Sequence, residues 1–437
     1  MAAGLSFVII TFMPKYLPRI LNWIVINLVL AFVLTASTPM TKETFDQVRR
    51  FTRGIEFDYA TWTADAAWSK IQQAAAATPN YIRSEKQKQV VTRYLNLTRR
   101  ILQAESQINL IYTNPEISDP AAAAAWIRDE LKTLTEEQSQ LAPLTETVLQ
   151  MQVSQVLTEM GLSHGGQPIP PVLYHVSPLP LALIVSPRDR IQTDANISLQ
   201  ADLNPEQQAR LEDYIDRVLN VSSLVVPVGG IGAYPTMVME TTNLNWQVET
   251  IAHEWIHNYL SLRPLGMNYD TSPELRTMNE TAASIAGREI GQQVLRRYYP
   301  ERLVGRAPAV ETLHLPLRLE EPQTLRAETV FDFRAEMHAT RIRVDELLAQ
   351  GKVEEAEAYM EQRRRFFWEH GYAIRKLNQA YFAFYGAYAD VPGGAAGEDP
   401  VGPAVRELRA RSASLKEFLE RISWMNSFED LKAAIGQ

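Results

Sequence analysis

The chain contains no cysteine. That absence excludes disulfides, thiolate zinc sites, iron–sulfur ligation and cysteine nucleophiles. Any metal must then be held by histidine and carboxylate. Positive charge is in deficit: 43 Lys plus Arg against 51 Asp plus Glu leave a net charge of −8. Such a chain is a poor general nucleic-acid binder, because phosphate neutralisation needs clustered cations, and no nucleic-acid partner is expected. There is no P-loop, no complete G-x-G-x-x-G, and no internal period of roughly 20–50 residues that would signal a solenoid. What is present is globular composition, 46% hydrophobic and 22% charged over 437 residues, enough for two or three structural units with a real core.

One charge-free run interrupts that composition. Ile20 to Thr41 carries no charged residue. As a helix these 22 residues would span roughly 33 Å, about one hydrocarbon core. Lys15 and Arg19 precede it, so the positive-inside rule places the N-terminus in the cytoplasm and the remainder outside. Residues 1–40 are thus expected to form a membrane anchor. A cleaved signal peptide, with Thr35-Ala36-Ser37 as the cleavage site, is the rival reading and would give a secreted protein.

The remainder reads as α+β and mainly helical. Residues 41–165 have apolar positions at helical spacing, such as Val90, Val91, Tyr94, Leu95 and Ile101. Pro79, Pro115 and Pro120 punctuate that run, and Gly165-Gly166-Gln167-Pro168 closes it. Between 166 and 300 the texture changes to short strand-like runs: Val172–Tyr174, Leu181–Val185, Ile197–Leu199, Leu224–Val226 and Thr236–Glu240. Helices are expected over about 205–219, 245–262 and 275–298. Residues 301–437 return to helical texture, with helices expected over about 322–349, 353–368, 371–387, 401–422 and 427–435.

The chemistry concentrates in His253-Glu254-Trp255-Ile256-His257. On a helix the two histidines are one turn apart on one face, where they can bind one Zn2+, and Glu254 lies beside them as a general base toward a metal-bound water. A random chain of this length would contain H-E-x-x-H about once in a hundred, so a third ligand is the next requirement. Glu280 follows His257 by 23 positions near the start of the next helix, and Ala283, Ser284, Gly287 and Gly291 share its face. Small residues there let two helices approach closely, as a shared metal requires. The plainer reading of Glu280 is a first-turn carboxylate stabilised by the helix dipole. The two-His-plus-Glu pattern of catalytic zinc favours ligation, with Glu274 and Glu289 as fallback carboxylates.

His253-Glu254-x-x-His257, with Asn279-Glu280-Thr281-x-Ala283 on the following helix, resembles the gluzincins, the thermolysin-like and aminopeptidase-like zinc peptidases. The chain further resembles bacterial membrane-associated predicted aminopeptidases through Gly351-Lys352, Met360-Glu361-x-Arg363-Arg364 and Leu377-Asn378-Gln379-Ala380-Tyr381. The resemblance covers about 250 to 390. It implies a zincin-like core over 166–300, a small mixed sheet with the H-E-x-x-H helix and a glutamate helix, flanked by helical regions. It also implies a zinc-dependent peptidase acting on a peptide or protein substrate.

Two further features fit that chemistry. Zincins pair an extended peptide with an edge strand, and Gly229–Pro235 leads into the 236–240 run. Gly232 and Ala233 are therefore substrate-binding candidates, and Glu240 is a candidate for sensing a substrate amine. Tyr381 and Tyr385, one turn apart, are candidate donors to a developing oxyanion, with His338 as another. The rival function is a membrane-anchored zincin-fold protein that binds or assembles without catalysis. Gly161-Leu162-Ser163-His164-Gly165 matches G-x-S-x-G, but a nucleophile elbow needs a strand before Ser163 and a helix after it.

Overall fold

Helix punctuation governs the described chain. The computed structural model describes residues 43–76, 83–113, 119–303, 331–388, 394–397 and 399–436. The Ile20–Thr41 run and the expected anchor lie outside the described residues. Among the described residues no helix is long and apolar enough to cross a membrane. The chain divides into Met1–Arg50 and Phe51–Gln437. Of the first unit the described part is the start of α1 (Glu43–Thr52).

In the second unit the first helices are α2 (Tyr59–Ala76), α3 (Ser84–Thr113), the single turn α4 (Pro120–Ala123) and α5 (Ala125–Glu159). Val91, Tyr94 and Leu95 of α3 pack with Val148, Leu149 and Val153 of α5 in the larger core cluster. Two small sheets follow. In the first, β2 (Leu181–Pro187) pairs antiparallel with β3 (Ala195–Leu199) and β4 (Val221–Pro227), so Leu183 faces both Ile197 and Val225. The α6 helix (Pro205–Leu219) connects β3 to β4, started by an Asn204 capping box with Pro at the first turn. The second sheet is mixed: β1 (Tyr174–Val176) runs parallel to β6 (Thr236–Val238), and β5 (Gly230–Ile231) pairs antiparallel as the edge. Ile55–Phe57 lies along β3, with Phe57 N donating to Ser198 O at 2.9 Å and Gln200 N to Ile55 O at 2.8 Å.

Two helices carry the centre of the molecule. Asn243 caps α7 (Leu244–Leu260), accepting from Asn245 N and Trp246 N. Val248, Ile251, Trp255 and Leu260 are buried as their periodicity predicts, whereas Leu262 lies past the helix end and is 72% exposed. A one-turn α8 (Pro264–Met267) leads to α9 (Pro273–Tyr298), which Ser272 caps. Contacts run in opposite directions along the pair: Asn279 meets His257, and Gly291 lies beside Glu249. A Cβ at Gly287 would sit 3.0 Å from the His253 Cβ, and one at Gly291 2.6 Å from the Glu249 Cγ. The small-residue face thus brings α9 against α7.

The rest is helical: α10 (Phe333–Ala349), α11 (Val353–Glu369), α12 (Gln379–Tyr385), α13 (Val401–Ala410), α14 (Leu415–Ser423) and α15 (Phe428–Ile435). The first three pack with β2 and β4 in a second cluster containing Ile184, Leu224, Met360 and Phe367. Three expected helices differ here, for local reasons, and residues 322–330 of the expected 322–349 helix lie outside the described residues. Phe333 opens α10 because the Asp332 carboxylate accepts from Arg334 N and Ala335 N. The 371–387 helix is only α12, because Asn378 caps it at Tyr381 N and the residues before it are not helical. The 401–422 helix breaks where Ser414 caps α14 at Glu417 N. Asn378, Met360 and Glu361, which carried part of the family resemblance, serve the scaffold: Asn378 Nδ2 donates to Ser223 O, and Glu361 pairs with Arg364 and Arg365.

A buried ion pair joins the N-terminal helices to the second sheet. Glu146 of α5 receives Lys70 Nζ of α2 at 2.6 Å, and His175 Nδ1 and Val176 N of β1 at 2.9 Å. Burial alone would raise the Glu146 carboxyl, but the His175 hydrogen bond and the Lys70 charge hold it at about 2, below the 4.5 of a free glutamate. Its contribution to stability is therefore complete above about 4.5 and is lost as the pH falls toward about 2. Glu146→Gln is expected to destabilise the protein by about 3 kcal/mol at neutral pH, since one buried partner is left without the other. Denaturant titrations of both proteins should show that gap narrowing below pH 4.5; a gap constant with pH would contradict the assignment.

Candidate metal centre

The helical spacing of the motif and the packing of α9 on α7 bring three donors together. His253 Nε2 and His257 Nε2 are 3.1 Å apart. Glu280 Oε2 lies 3.5 Å from each of them. Donors about 2.0–2.1 Å from a shared tetrahedral ion are separated by about 3.3–3.4 Å, so the triangle has the size a single ion needs. The other Glu280 oxygen, Oε1, accepts from the Tyr269 hydroxyl. Oε2 is buried and makes no hydrogen bond. A buried carboxylate oxygen left in that condition, between two ring nitrogens, fits a metal ligand. His253, His257 and Glu280 can hold a metal ion.

The electrostatics agree with that fit. Burial disfavours charge on both His257 and Glu280, yet their attraction raises the His257 imidazole to about 9 and holds the Glu280 carboxyl well below its ordinary range. The Glu280 carboxylate is thus held in its charged form by the histidines beside it. His257 is oriented by Asn279, whose Oδ1 lies 2.8 Å from Nδ1. With the proton on Nδ1, the Nε2 lone pair faces the other ligands. Ser284 Oγ stands 3.5 Å from His253 Nδ1.

Glu254 is 7% exposed and lines the same cleft, which encloses about 510 Å3. Burial raises its carboxyl, with the two histidines opposing that rise. The edge strand β5 passes directly above it. A Cβ on Gly230 would lie 2.5 Å from Glu254 Oε1, and one on Gly232 3.0 Å from the His257 Cβ. Glycine at these two positions lets the strand edge approach the metal helix. The cleft is also lined by Tyr388, whose ring is 6.5 Å from that of His253, and by Tyr269 and Arg276. Tyr59, from the first turn of α2, completes the rim and bonds Ser198 of β3 at 2.8 Å.

The sequence candidates divide accordingly. His253, Glu254, His257 and Glu280 come together, and Gly232 and Ala233 line the cleft beside them. Glu274 is exposed, and Glu289 pairs with Arg409, so neither fallback carboxylate joins the cluster. Glu240 lies past the end of β6, held by Tyr94 and Gln138, and does not line the cleft. Tyr381 and Tyr385 also do not line it. Their rings pack 4.4 Å apart in the second core cluster, and of this stretch Phe384 and Tyr388 line the cleft, Tyr388 from beyond the end of α12. His338 sits on α10 away from the cleft, and Ser163 lies in a turn after α5 with no strand before it. Sequence reasoning missed Tyr388, Tyr269, Ser284 and Arg276. Of these only Arg276 left a usable signal, a lone cation one turn before Glu280. Comparison of the chain with family models, curated proteins and solved structures gives no match.

Proposed function

We propose that this protein is a zinc-dependent peptidase with a gluzincin-type site in a zincin-like core. The observation that carries the reading is Glu280 Oε2, buried without a hydrogen bond and 3.5 Å from two imidazole nitrogens. His253, His257 and Glu280 would hold Zn2+, which when bound acidifies water and polarises a carbonyl. Glu254 takes a proton from water and returns it to the leaving amine. Its burial beside both histidines supports that role. Asn279 keeps the His257 proton on Nδ1. An extended peptide adds to the free edge of β5 through its backbone, along Gly230 to Ala233. The Tyr388 phenol, which lines the cleft, donates to the carbonyl oxygen as it gains charge. With the anchor expected from Ile20–Thr41, this body would work outside the membrane. Purified protein should contain about one zinc per chain and cleave peptides in a chelator-sensitive manner that added Zn2+ restores. Metal-free protein with chelator-indifferent hydrolysis would overturn the proposal.

A further inference from the structure

Among the described residues the cleft is lined by two carboxylates and one guanidinium. The carboxylates are Glu254 and Glu280, already assigned as base and ligand. The guanidinium is Arg276, on α9 one turn before Glu280. It is 6% exposed, and its Nε and Nη1 are buried with no hydrogen-bond partner. It packs over the Tyr269 ring at 5.6 Å. Glu280 does not satisfy it, since one Glu280 oxygen takes the Tyr269 hydroxyl and the other faces the histidines. A buried arginine remains charged, and donors left unmade in a dry site carry a free-energy penalty. The planar fork matches a carboxylate in two parallel hydrogen bonds.

We propose that Arg276 is a specificity residue that binds a carboxylate of the peptide substrate. The inference rests on the peptidase reading and narrows its substrate class. Side chains one helical turn apart are about 5–6 Å from each other at Cβ, and one extended residue spans about 3.3–3.6 Å. The bound carboxylate therefore lies one or two residues from the carbonyl presented to the metal ligands. It is either the α-carboxylate at the peptide C-terminus or an acidic side chain near the scissile bond. The Arg276 guanidinium disfavours an N-terminal ammonium beside it. No uncommitted acid lines the cleft among the described residues, and Glu240, the candidate for that task, faces Tyr94 and Gln138 instead.

The test uses one N-acetylated peptide in three forms: free C-terminal acid, C-terminal amide, and amide with Glu beside the scissile bond. The zinc-loaded protein should prefer a carboxylate-bearing form by about 100-fold in kcat/KM, and the preferred form names the source. Arg276→Gln should cleave all three forms at equal rates, and Arg276→Lys should regain part of the preference. Zinc content and Tm of both variants separate binding from a merely structural role, which would move them together with every substrate. Equal rates on all three forms in the native protein, or a uniform loss in Arg276→Gln, would overturn the inference and leave the peptidase reading standing. If the native protein cleaves no peptide, binding of all three forms to zinc-loaded Glu254→Gln decides the matter by calorimetry. An Arg276-dependent preference for either carboxylate-bearing form over the plain amide then upholds the inference alone, and its absence removes it.

Discussion

Glu254→Gln should lose peptide hydrolysis by about 10^3- to 10^4-fold in kcat while its zinc remains bound. The substitution keeps the size of the side chain and removes only its capacity to accept a proton. Among the described residues no other is placed to compensate: the remaining carboxylate in the cleft is Glu280, whose oxygens are committed to Tyr269 and to the histidines. Burial raises the Glu254 carboxyl, so its charged form is already disfavoured there, and a neutral amide is not expected to lower Tm. Peptide kinetics and metal analysis on one preparation check both halves of the expectation. Native-like turnover in this variant would exclude Glu254 as the base.

The ligands should behave differently, because their loss removes the metal itself. His253→Ala and Glu280→Ala are each expected to leave less than a tenth of the native zinc after mild chelation, with hydrolysis falling in proportion. Glu280→Ala has the wider consequence. It strips the third donor, leaves the Tyr269 hydroxyl without its acceptor, and takes away the charge that raises His257. Asn279→Ala should keep zinc but bind it about 10- to 100-fold more weakly, since the three ligands remain while the orientation of His257 and the Asn279 Nδ2 bond to Leu265 O are lost. Competition with a chromophoric chelator ranks the variants. A Glu280→Ala protein holding zinc as tightly as the native one would move the third ligand elsewhere.

The parts of this site that were legible in the sequence are those fixed by helix geometry. One-turn spacing puts His253 and His257 on one face whatever surrounds them. The run Ala283, Ser284, Gly287 and Gly291 announces a close helix contact, and Glu280 lies at its start. The parts that were not legible depend on long-range placement. Tyr381 and Tyr385 share a helical face, but that face turns into the core packed on β2 and β4. Gly386 follows the last helical residue, and Tyr388 then takes a direction that no helical period supplies. Glu240 ends a strand-like run, yet its partners come from α3 and α5, more than a hundred residues earlier. The helix ends depended on single caps. Ser414 and Asn378 are visible as cap-type residues, but an apolar pattern that continues past them hides the break.

The metal ligands sit within one short stretch of chain, whereas the cleft walls are gathered from Tyr59 through Tyr388. The two therefore differ in how they respond to partial opening of the fold. The ligand triangle depends on one antiparallel helix pair, locked by glycines at van der Waals range, and persists as long as that pair stays closed. The walls depend on elements distant in sequence, and fluctuation of any one of them widens the cleft without disturbing the triangle. Zinc affinity and the closeness of the cleft walls are thus separable quantities in this molecule, and moderate heat or denaturant should weaken peptide binding before it releases the metal.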